Sequence, residues 1–203
     1  MELWHTQGRR TWDASTPQFF EQIIEIEHGI TDKWDIALYS VFAQVSGDAM
    51  TAEPFHFDEL KLETRYRLAE RGELPVDTLL YFEIAKEFGN SVYEIEGKVI
   101  GARDFGKVTA AVNAIAEIKV GKDVAETELE IGWAAGITYQ AHPKLRIGAE
   151  TFGTYEEEEL FLAAGPAISW APSAAFWIAV TGAFGVTDKA DAFRLRAIVG
   201  IEL

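Results

Sequence analysis

The segment Phe57-Asp-Glu-Leu-Lys-Leu-Glu-Thr-Arg-Tyr-Arg-Leu68 decides the fold class. Charged side chains occupy every second position from Glu59 to Arg67, and uncharged, mostly apolar side chains occupy the positions between them. Successive side chains of a β-strand point to opposite faces, so this order predicts one strand with a charged face and an apolar face. An α-helix would scatter both sets around its axis.

The same two-residue period continues along the chain in both directions. Turn-forming residues, such as Gly89-Asn90 and His142-Pro143, separate the alternating runs at the spacing of antiparallel hairpins. With a short first strand from Glu2 to Arg10 included, the pattern predicts an all-β, antiparallel up-and-down barrel of about 12 strands. Since no linker, repeat or low-complexity tract divides the chain, we expect a single domain over residues 1–203.

Composition excludes several classes of protein. The chain has 203 residues, no cysteine and a formal net charge of −15 at pH 7. The lack of cysteine excludes disulfides, thiolate metal sites and cysteine nucleophiles. The acid excess argues against a nucleic-acid partner, because phosphates require clusters of Lys and Arg. With 48% hydrophobic and 12% aromatic residues, the chain is too apolar to be disordered.

Two architectures are compatible with two-faced strands. A soluble sandwich or barrel buries the apolar face, whereas an outer-membrane barrel turns that face towards lipid. The average soluble strand has about 5 to 6 residues, whereas a tilted membrane strand needs roughly 9 to 11. The long run from Phe57 to Leu68 therefore favours a transmembrane barrel. A soluble β-barrel or sandwich that binds small ligands is the alternative.

Aromatic residues of the apolar face gather at the strand ends. If both termini lie on the periplasmic side, one group falls at the periplasmic ends: Trp34, Tyr66, Tyr139 and Trp170. A second group falls at the opposite ends: Phe42, Tyr93, Tyr155, Phe184 and Phe193. Two such belts are typical of the aromatic girdles of membrane barrels, so lipid and lipopolysaccharide are the expected partners of the outer face.

The stretch Glu25-Ile-Glu-His-Gly-Ile-Thr-Asp-Lys-Trp-Asp-Ile-Ala-Leu-Tyr39 resembles the first hairpin of small Gram-negative outer-membrane barrels. These barrels often carry an E-x-x-[HY]-G-[LI]-T-D-x-[WL] segment, and the strand from Leu60 to Leu68 resembles their second hairpin. Many of them are grouped with transporter barrels of the phenol-degradation type. The resemblance implies a porin-like or transporter-like barrel and is silent on substrate.

A bacterial outer-membrane location follows from this interpretation as an expectation. Residues Met1 to Trp4 lack the basic head and apolar run of a signal peptide, so we expect that a signal peptide has been removed from this chain. We also expect insertion by the barrel-assembly machinery and a monomeric state.

If the apolar face meets lipid, the charged face lines the lumen. The predicted lumen residues are Glu25, Glu27, Glu59, Lys61, Glu63, Arg65, Arg67, Glu83, Glu94, Glu96, Lys98, Glu117, Glu126, Glu128, Glu130, Arg146, Glu150, Arg194 and Arg196. Because acids outnumber bases, one hypothesis is a small passive channel with a cation-favouring lumen. The other is a structural or membrane-interaction barrel whose lumen is closed by ion pairs.

Neither an enzyme, a metal site nor a cofactor is expected. His28 and Ser40 share the apolar face on adjacent strands, where outer-membrane lipid hydrolases place such a pair. A turn that pairs Ile30 with Trp34 would separate them by roughly 13 Å along the strand, whereas proton transfer needs about 3 Å. The histidines lack metal-ligand spacing, and the sequence has no phosphate loop or nucleophile elbow.

Overall fold

The computed structural model describes residues 1–13, 16–47, 52–124, 129–156 and 159–202. Within these ranges the chain forms twelve strands: β1 (Glu2–Arg9), β2 (Gln18–Thr31), β3 (Trp34–Ser46), β4 (Glu53–Arg67), β5 (Asp77–Glu87), β6 (Val92–Phe105), β7 (Val108–Gly121), β8 (Leu129–His142), β9 (Leu145–Glu156), β10 (Glu159–Ser173), β11 (Phe176–Gly185) and β12 (Phe193–Ile201). The predicted strand number, including the short first strand, is confirmed. None of the described residues forms a helix long and apolar enough to cross a membrane.

The strands form one closed antiparallel barrel. Each strand pairs with its neighbours in sequence, and β1 also pairs with β12, from Glu2 opposite Gly200 to Arg9 opposite Phe193. Closure leaves no unpaired strand edge, which matters in lipid because unpaired backbone groups find no water there. The predicted up-and-down barrel is confirmed.

The two ends of the barrel are distinct. The end that we call the terminus end holds Met1 and the tight turns between β2 and β3, β6 and β7, β8 and β9, and β10 and β11. The opposite end, which we call the loop end, holds the segments between β1 and β2, β5 and β6, and β11 and β12. Adjacent strands therefore run alternately towards the loop end and the terminus end.

The predicted pairing of the first hairpin was wrong by one residue at its turn. Thr31, not Ile30, lies opposite Trp34, and the register shifts between Gly29 and Thr31. The Thr31 hydroxyl oxygen accepts hydrogen bonds from the backbone N–H groups of Lys33 (3.2 Å) and Trp34 (3.1 Å). This hydroxyl fixes a two-residue turn at Asp32-Lys33, and the extra residue is taken up in the strand as a bulge.

The barrel is apolar outside and charged inside. Ile26, Leu62 and Ile137 face outwards and are 60%, 57% and 54% exposed, whereas Glu25 and Glu63 face inwards and are each 1% exposed. Water-soluble proteins show the reverse, because their apolar residues are the ones most often buried. The distribution argues against the soluble alternative and matches a wall that faces lipid.

All nine predicted girdle residues lie on the outer face. The register places four of them towards the terminus end, namely Trp34, Tyr66, Tyr139 and Trp170. It places the other five towards the loop end, namely Phe42, Tyr93, Tyr155, Phe184 and Phe193. At the loop end the Phe42 ring lies 5.4 Å from that of Phe57, which lies 4.7 Å from that of Phe88. Their role as an interfacial girdle stays a prediction.

Candidate channel lumen

The strand register brings the predicted lumen residues onto one inner face. Arg65, for example, lies opposite Asp35 on β3 and Tyr81 on β5, as expected for residues that share a face. The described residues placed there are Glu25, Glu27, Glu59, Lys61, Glu63, Arg65, Arg67, Glu83, Glu94, Glu96, Lys98, Glu117, Glu130, Arg146, Glu150, Arg194 and Arg196. Glu126 and Glu128 lie outside the described residues.

Charge is unevenly distributed around this inner face. Most of the acidic residues lie on β2 to β8, which we call the acidic wall. Arg146 lies on β9, and Arg194 and Arg196 lie on β12, in what we call the small-residue wall (β9 to β12). Between these arginines, the inward positions of β10 and β11 are mostly small: Ala163, Gly165, Ala167, Ala179, Thr181 and Ala183.

Arg65 holds three strands of the acidic wall together. Its guanidinium contacts Glu27 of β2 and lies 2.6 Å (Nε to Oδ1) from Asp35 of β3. The same Nε lies 3.0 Å from Glu63 Oε1, an ion pair without a hydrogen bond, since the N–H points to Asp35. The Tyr39 hydroxyl donates to the other Glu63 oxygen. These side chains fill the lumen beside β3 and β4.

A second cluster continues the acidic wall across β4 to β6. The Tyr81 hydroxyl donates to Glu83 Oε2 at 2.5 Å, and Lys61 Nζ lies 3.5 Å from Glu83 Oε1. Lys98 Nζ lies 2.7 Å from Glu96 Oε1 and 4.1 Å from the centre of the Tyr81 ring. The two lysines of this cluster thus bind acids of their own or an adjacent strand, as cross-strand pairing favours. Glu83 and Glu96 are therefore bound by tyrosine and lysine side chains of the protein itself.

Three aromatic side chains that donate to acids of the inner face were not predicted. Trp4 Nε1 donates to Glu2 Oε2 (3.0 Å) and to Glu25 Oε2 (3.1 Å), and Tyr39 and Tyr81 donate to acids as described. Buried Trp and Tyr usually need such a partner for their polar atom. The sequence did contain a signal for these donors. Trp4 and Tyr81 each stand two positions from an acid, and Tyr39 stands four positions from Asp35, so the period of two places all three on the charged face.

The small-residue wall carries a long-range ion pair. Arg196 Nη2 lies 2.9 Å from Glu150 Oε1, although Glu150 belongs to β9 and Arg196 to β12. Arg146 bonds hydroxyls instead: its Nη1 donates to Thr109 Oγ1 at 2.9 Å and to Thr138 Oγ1 at 3.4 Å. Among the described residues, Arg146 forms no direct ion pair, but Thr109 also donates to Asp104 Oδ1 at 2.5 Å and so connects Arg146 to that carboxylate.

Arg194 is held between two aromatic rings near the loop end. Its guanidinium carbon lies 5.6 Å from the centre of the Phe19 ring and 5.5 Å from that of Phe152. Nη2 and Nε also lie 2.5 and 3.1 Å from Asp191 Oδ2. Cation–π contacts on two sides and a carboxylate partner restrict the rotamers of this side chain. Arg194 therefore stands at a fixed place in the lumen.

Among the described residues, four cavities overlap along the inside of the barrel. A central cavity of about 420 Å³ is lined by residues of β6 to β9, β11, β12, β1 and β2, from Lys98 round to Glu21. A cavity of about 270 Å³ continues towards the terminus end and shares Arg196 and Thr181 with it. Two cavities of about 250 and 370 Å³ continue towards the loop end and share Arg194 with it. Together they form one off-axis path between the small-residue wall and the strands β1, β2 and β6 to β8, which we call the open route.

One carboxylate cluster has the spacing of a metal site. Glu59, Glu87 and Glu94 each offer an oxygen, and the three oxygens lie within 4.8 Å of one another. Lys61 and Lys119 already bind Glu59 (3.0 Å) and Glu94 (2.8 Å). The sequence-based expectation of no metal rested on histidine spacing, so it did not consider carboxylates contributed by three different strands.

The register keeps His28 and Ser40 apart. His28 lies opposite Ile36, and Ser40 lies opposite Ile24, as the sequence predicted. Four residues of strand therefore separate them, which is roughly 13 Å at 3.3 Å per residue. Proton transfer between them would need about 3 Å, so they do not form a hydrolytic pair.

The fold is similar to solved outer-membrane barrels. The KdgM porin in complex with disordered oligogalacturonate matches with a TM-score of 0.69 and 8% identity, over 100% of this chain and 99% of that one. The NanC porin matches with 0.67 and 9%, over 99% and 100%. An outer membrane channel from Pseudomonas putida F1 matches with 0.69 and 11%, over 98% and 93%. At these low sequence identities, the structural similarity shows that the proteins share a fold.

No protein-family model matches the chain, and no curated protein matches it. The resemblance of the Glu25 to Tyr39 hairpin to small Gram-negative barrels therefore stays a prediction. The class that fold and site define is a twelve-stranded barrel of the outer-membrane type with a charged interior.

Proposed function

We propose that this chain forms a small passive channel in a bacterial outer membrane. The open route carries the proposal, since it extends from Arg10 and Asp191 at the loop end to Arg146 and Trp177 at the terminus end. Side chains just fill an eight-stranded barrel, whereas twelve strands enclose a wider interior. The likeness in fold to solved porins supports the proposal.

The competing hypothesis of a closed lumen has one observation in its favour. Ion pairs and tyrosines fill the side of the lumen next to β3, β4 and β5, as the networks around Arg65 and Tyr81 show. The opposite side has small residues instead, and the cavities lie there. The geometry therefore supports a channel narrowed from one side, not a barrel filled throughout.

The predicted cation preference rested on the charge of the whole inner face. Three of its acids, Glu25, Glu63 and Glu83, are 1%, 1% and 8% exposed and bind protein donors. The open route contacts few of the acids and several bases. The proposed function is therefore passive diffusion of small hydrophilic solutes. A measurement of ion selectivity decides between cation preference and anion preference.

We also propose that the outer face contacts lipid and lipopolysaccharide, that the barrel-assembly machinery inserts the chain, and that one copy acts alone without enzymatic activity. Exposed apolar residues such as Leu62 and Val112 support a lipid-facing wall. Pairing of β1 with β12 supports a monomer, because a closed barrel needs no second chain to cover a strand edge.

Conductance in planar lipid bilayers tests the channel. The refolded protein is first shown to be a folded barrel by its heat-modifiable mobility on gels. We expect discrete current steps after insertion of the folded form and none from heat-unfolded protein. Folded protein that inserts without any current would reject the channel and favour the structural alternative.

A further inference from the structure

The open route is bordered by bases in its part towards the terminus end. Arg146 and Arg196 both line the 270 Å³ cavity, and Glu150 is the acid that lines it with them. Trp177 and Ile198 supply apolar surface to the same cavity. A solute in this space meets two guanidinium groups, one carboxylate and an apolar patch.

Arg146 has N–H groups that remain available to bind a solute. A guanidinium has five N–H donors and no acceptor. The two hydroxyl oxygens of Thr109 and Thr138 both accept from Nη1, so the structure assigns them to one nitrogen of the three. Hydroxyls do not neutralise the charge, but Thr109 also donates to Asp104 Oδ1 at 2.5 Å, so one carboxylate lies a single hydroxyl away from Arg146. Arg71 already pairs with that carboxylate, so positive charge of Arg146 remains available to the cavity.

Arg196 is partly neutralised but is fixed in position. Its Nη2 lies 2.9 Å from Glu150 Oε1, which orients the guanidinium towards the space between β9 and β12. Two arginines and one carboxylate line this cavity, so an excess of positive charge remains there. A planar guanidinium suits bidentate contact with a carboxylate, and its weak hydration makes the exchange of water for a carboxylate favourable.

The acidic wall cancels this excess only in part, through Asp104 of β6, which Thr109 connects to Arg146. None of the acids that Arg65, Tyr39 and Tyr81 engage lines the 270 Å³ cavity. At an ionic strength of 0.1 M charges are screened over about 10 Å, so the nearest groups dominate. Among the described residues, Glu150 is the acid that lines the cavity, and Asp104 lies behind Thr109, where it is paired with Arg71.

We propose that this cavity is a binding site for small monocarboxylates, with Arg146 and Arg196 as the contacting residues, and that it makes the open route anion-favouring. The inference rests on the proposed channel function and adds the class of solute. The apolar surface of Trp177 and Ile198 would contact the hydrocarbon part of the solute, while the guanidiniums bind its carboxylate.

Reversal potentials under a KCl gradient at moderate ionic strength test the charge preference. The wild type is expected to prefer chloride over potassium. Arg146→Gln is expected to lower the chloride-to-potassium permeability ratio at least about fivefold, since one unit charge about 4 Å away changes the permeability of a single ion by about that factor in water and acts on chloride and potassium in opposite senses. Glu150→Gln is expected to raise the ratio, because it removes the carboxylate that pairs with Arg196.

Lys119→Gln is the control. It also removes one positive charge, but from the acidic wall, where Lys119 pairs with Glu94, and it is expected to change the ratio little.

Acetate tests the solute class. Acetate added to KCl is expected to reduce the chloride current of the wild type more than that of Arg146→Gln. A potassium-preferring wild type, an unchanged ratio in Arg146→Gln, or equal reduction by acetate in both would overturn the anion site and leave the channel intact. Folded protein without current would reject the channel and the site together, so the two failures are distinguishable.

Discussion

Arg196 and Glu150 form an ion pair of 2.9 Å (Nη2 to Oε1) across two intervening strands, β10 and β11. The contact is possible because the inward residues between them, such as Ala167 and Thr181, are too small to block it. The same small residues leave the space of the open route. The long ion pair and the route therefore have one structural cause.

Gly153→Ala is expected to lower the free energy of unfolding by about 1–3 kcal/mol, the usual cost of overpacking. Trp133 of β8 lies across Gly153 of β9, and a methyl group there would overlap the indole ring. Urea unfolding from lipid vesicles measures the change. Gly136→Ala is the control, because the nearest atom to its added methyl lies 3.7 Å away, an ordinary contact. Equal stability of the two variants would contradict the close packing of Trp133.

Arg65→Gln is expected to destabilise the barrel by about 3–5 kcal/mol, because removal of one partner leaves buried charges without compensation. Glu27, Asp35 and Glu63 would all lose their shared cation. Arg67→Gln is the matched control on the same strand and face. Its 45% exposed side chain contacts Glu70 at 3.6 Å, and exposed pairs contribute about 0–1 kcal/mol. A loss for Arg65→Gln no larger than that of the control would show that the network carries no stability.

A pH-dependent contact is expected in the loop end, outside the strands. Ser91 donates to Asp123 Oδ2 from its backbone N–H (2.7 Å) and its hydroxyl (2.8 Å), and these bonds lower the pKa of Asp123. A lowered folded pKa contributes stability above the unfolded pKa, about 3.9 for aspartate, and that contribution is lost as pH falls through the folded value.

Carboxyl-carbon NMR titration measures this pKa directly. Ser91→Ala is expected to return the pKa of Asp123 towards its ordinary value, whereas Ser173→Ala at the terminus end is expected to leave it unchanged. The same Asp123 pKa in Ser91→Ala and wild type would contradict the assigned cause.

The period of two made most of the fold predictable from the sequence. Most of strand β4 (Glu53–Arg67) could be recognised from the run Phe57 to Leu68, because successive residues of a strand alternate between the outer and the inner face. The lumen side of residues such as Glu63 and Arg196 followed from the same alternation. The turn at Thr31 did not, since a hydroxyl that accepts two N–H groups shifts the pairing by one residue.

Contacts across several strands could not be predicted. Glu150 and Arg196 are 46 residues apart and belong to strands that are not neighbours, so no local pattern links them. The position of the open route has the same origin, because it depends on which inner side chains are small on adjacent strands. An overall charge count could not show that Glu25 is bound by Trp4 while Arg146 faces open space.

Single-channel conductance of two adjacent tryptophan variants tests the central claim most directly. Ala134 lines the central cavity, whereas Ala135 is the next residue on β8 and faces outwards. Folded Ala135→Trp is expected to conduct like the wild type, and folded Ala134→Trp is expected to carry a clearly smaller current because the ring occupies the open route. Equal currents from Ala134→Trp and wild type, or no current from folded wild type, would contradict the account.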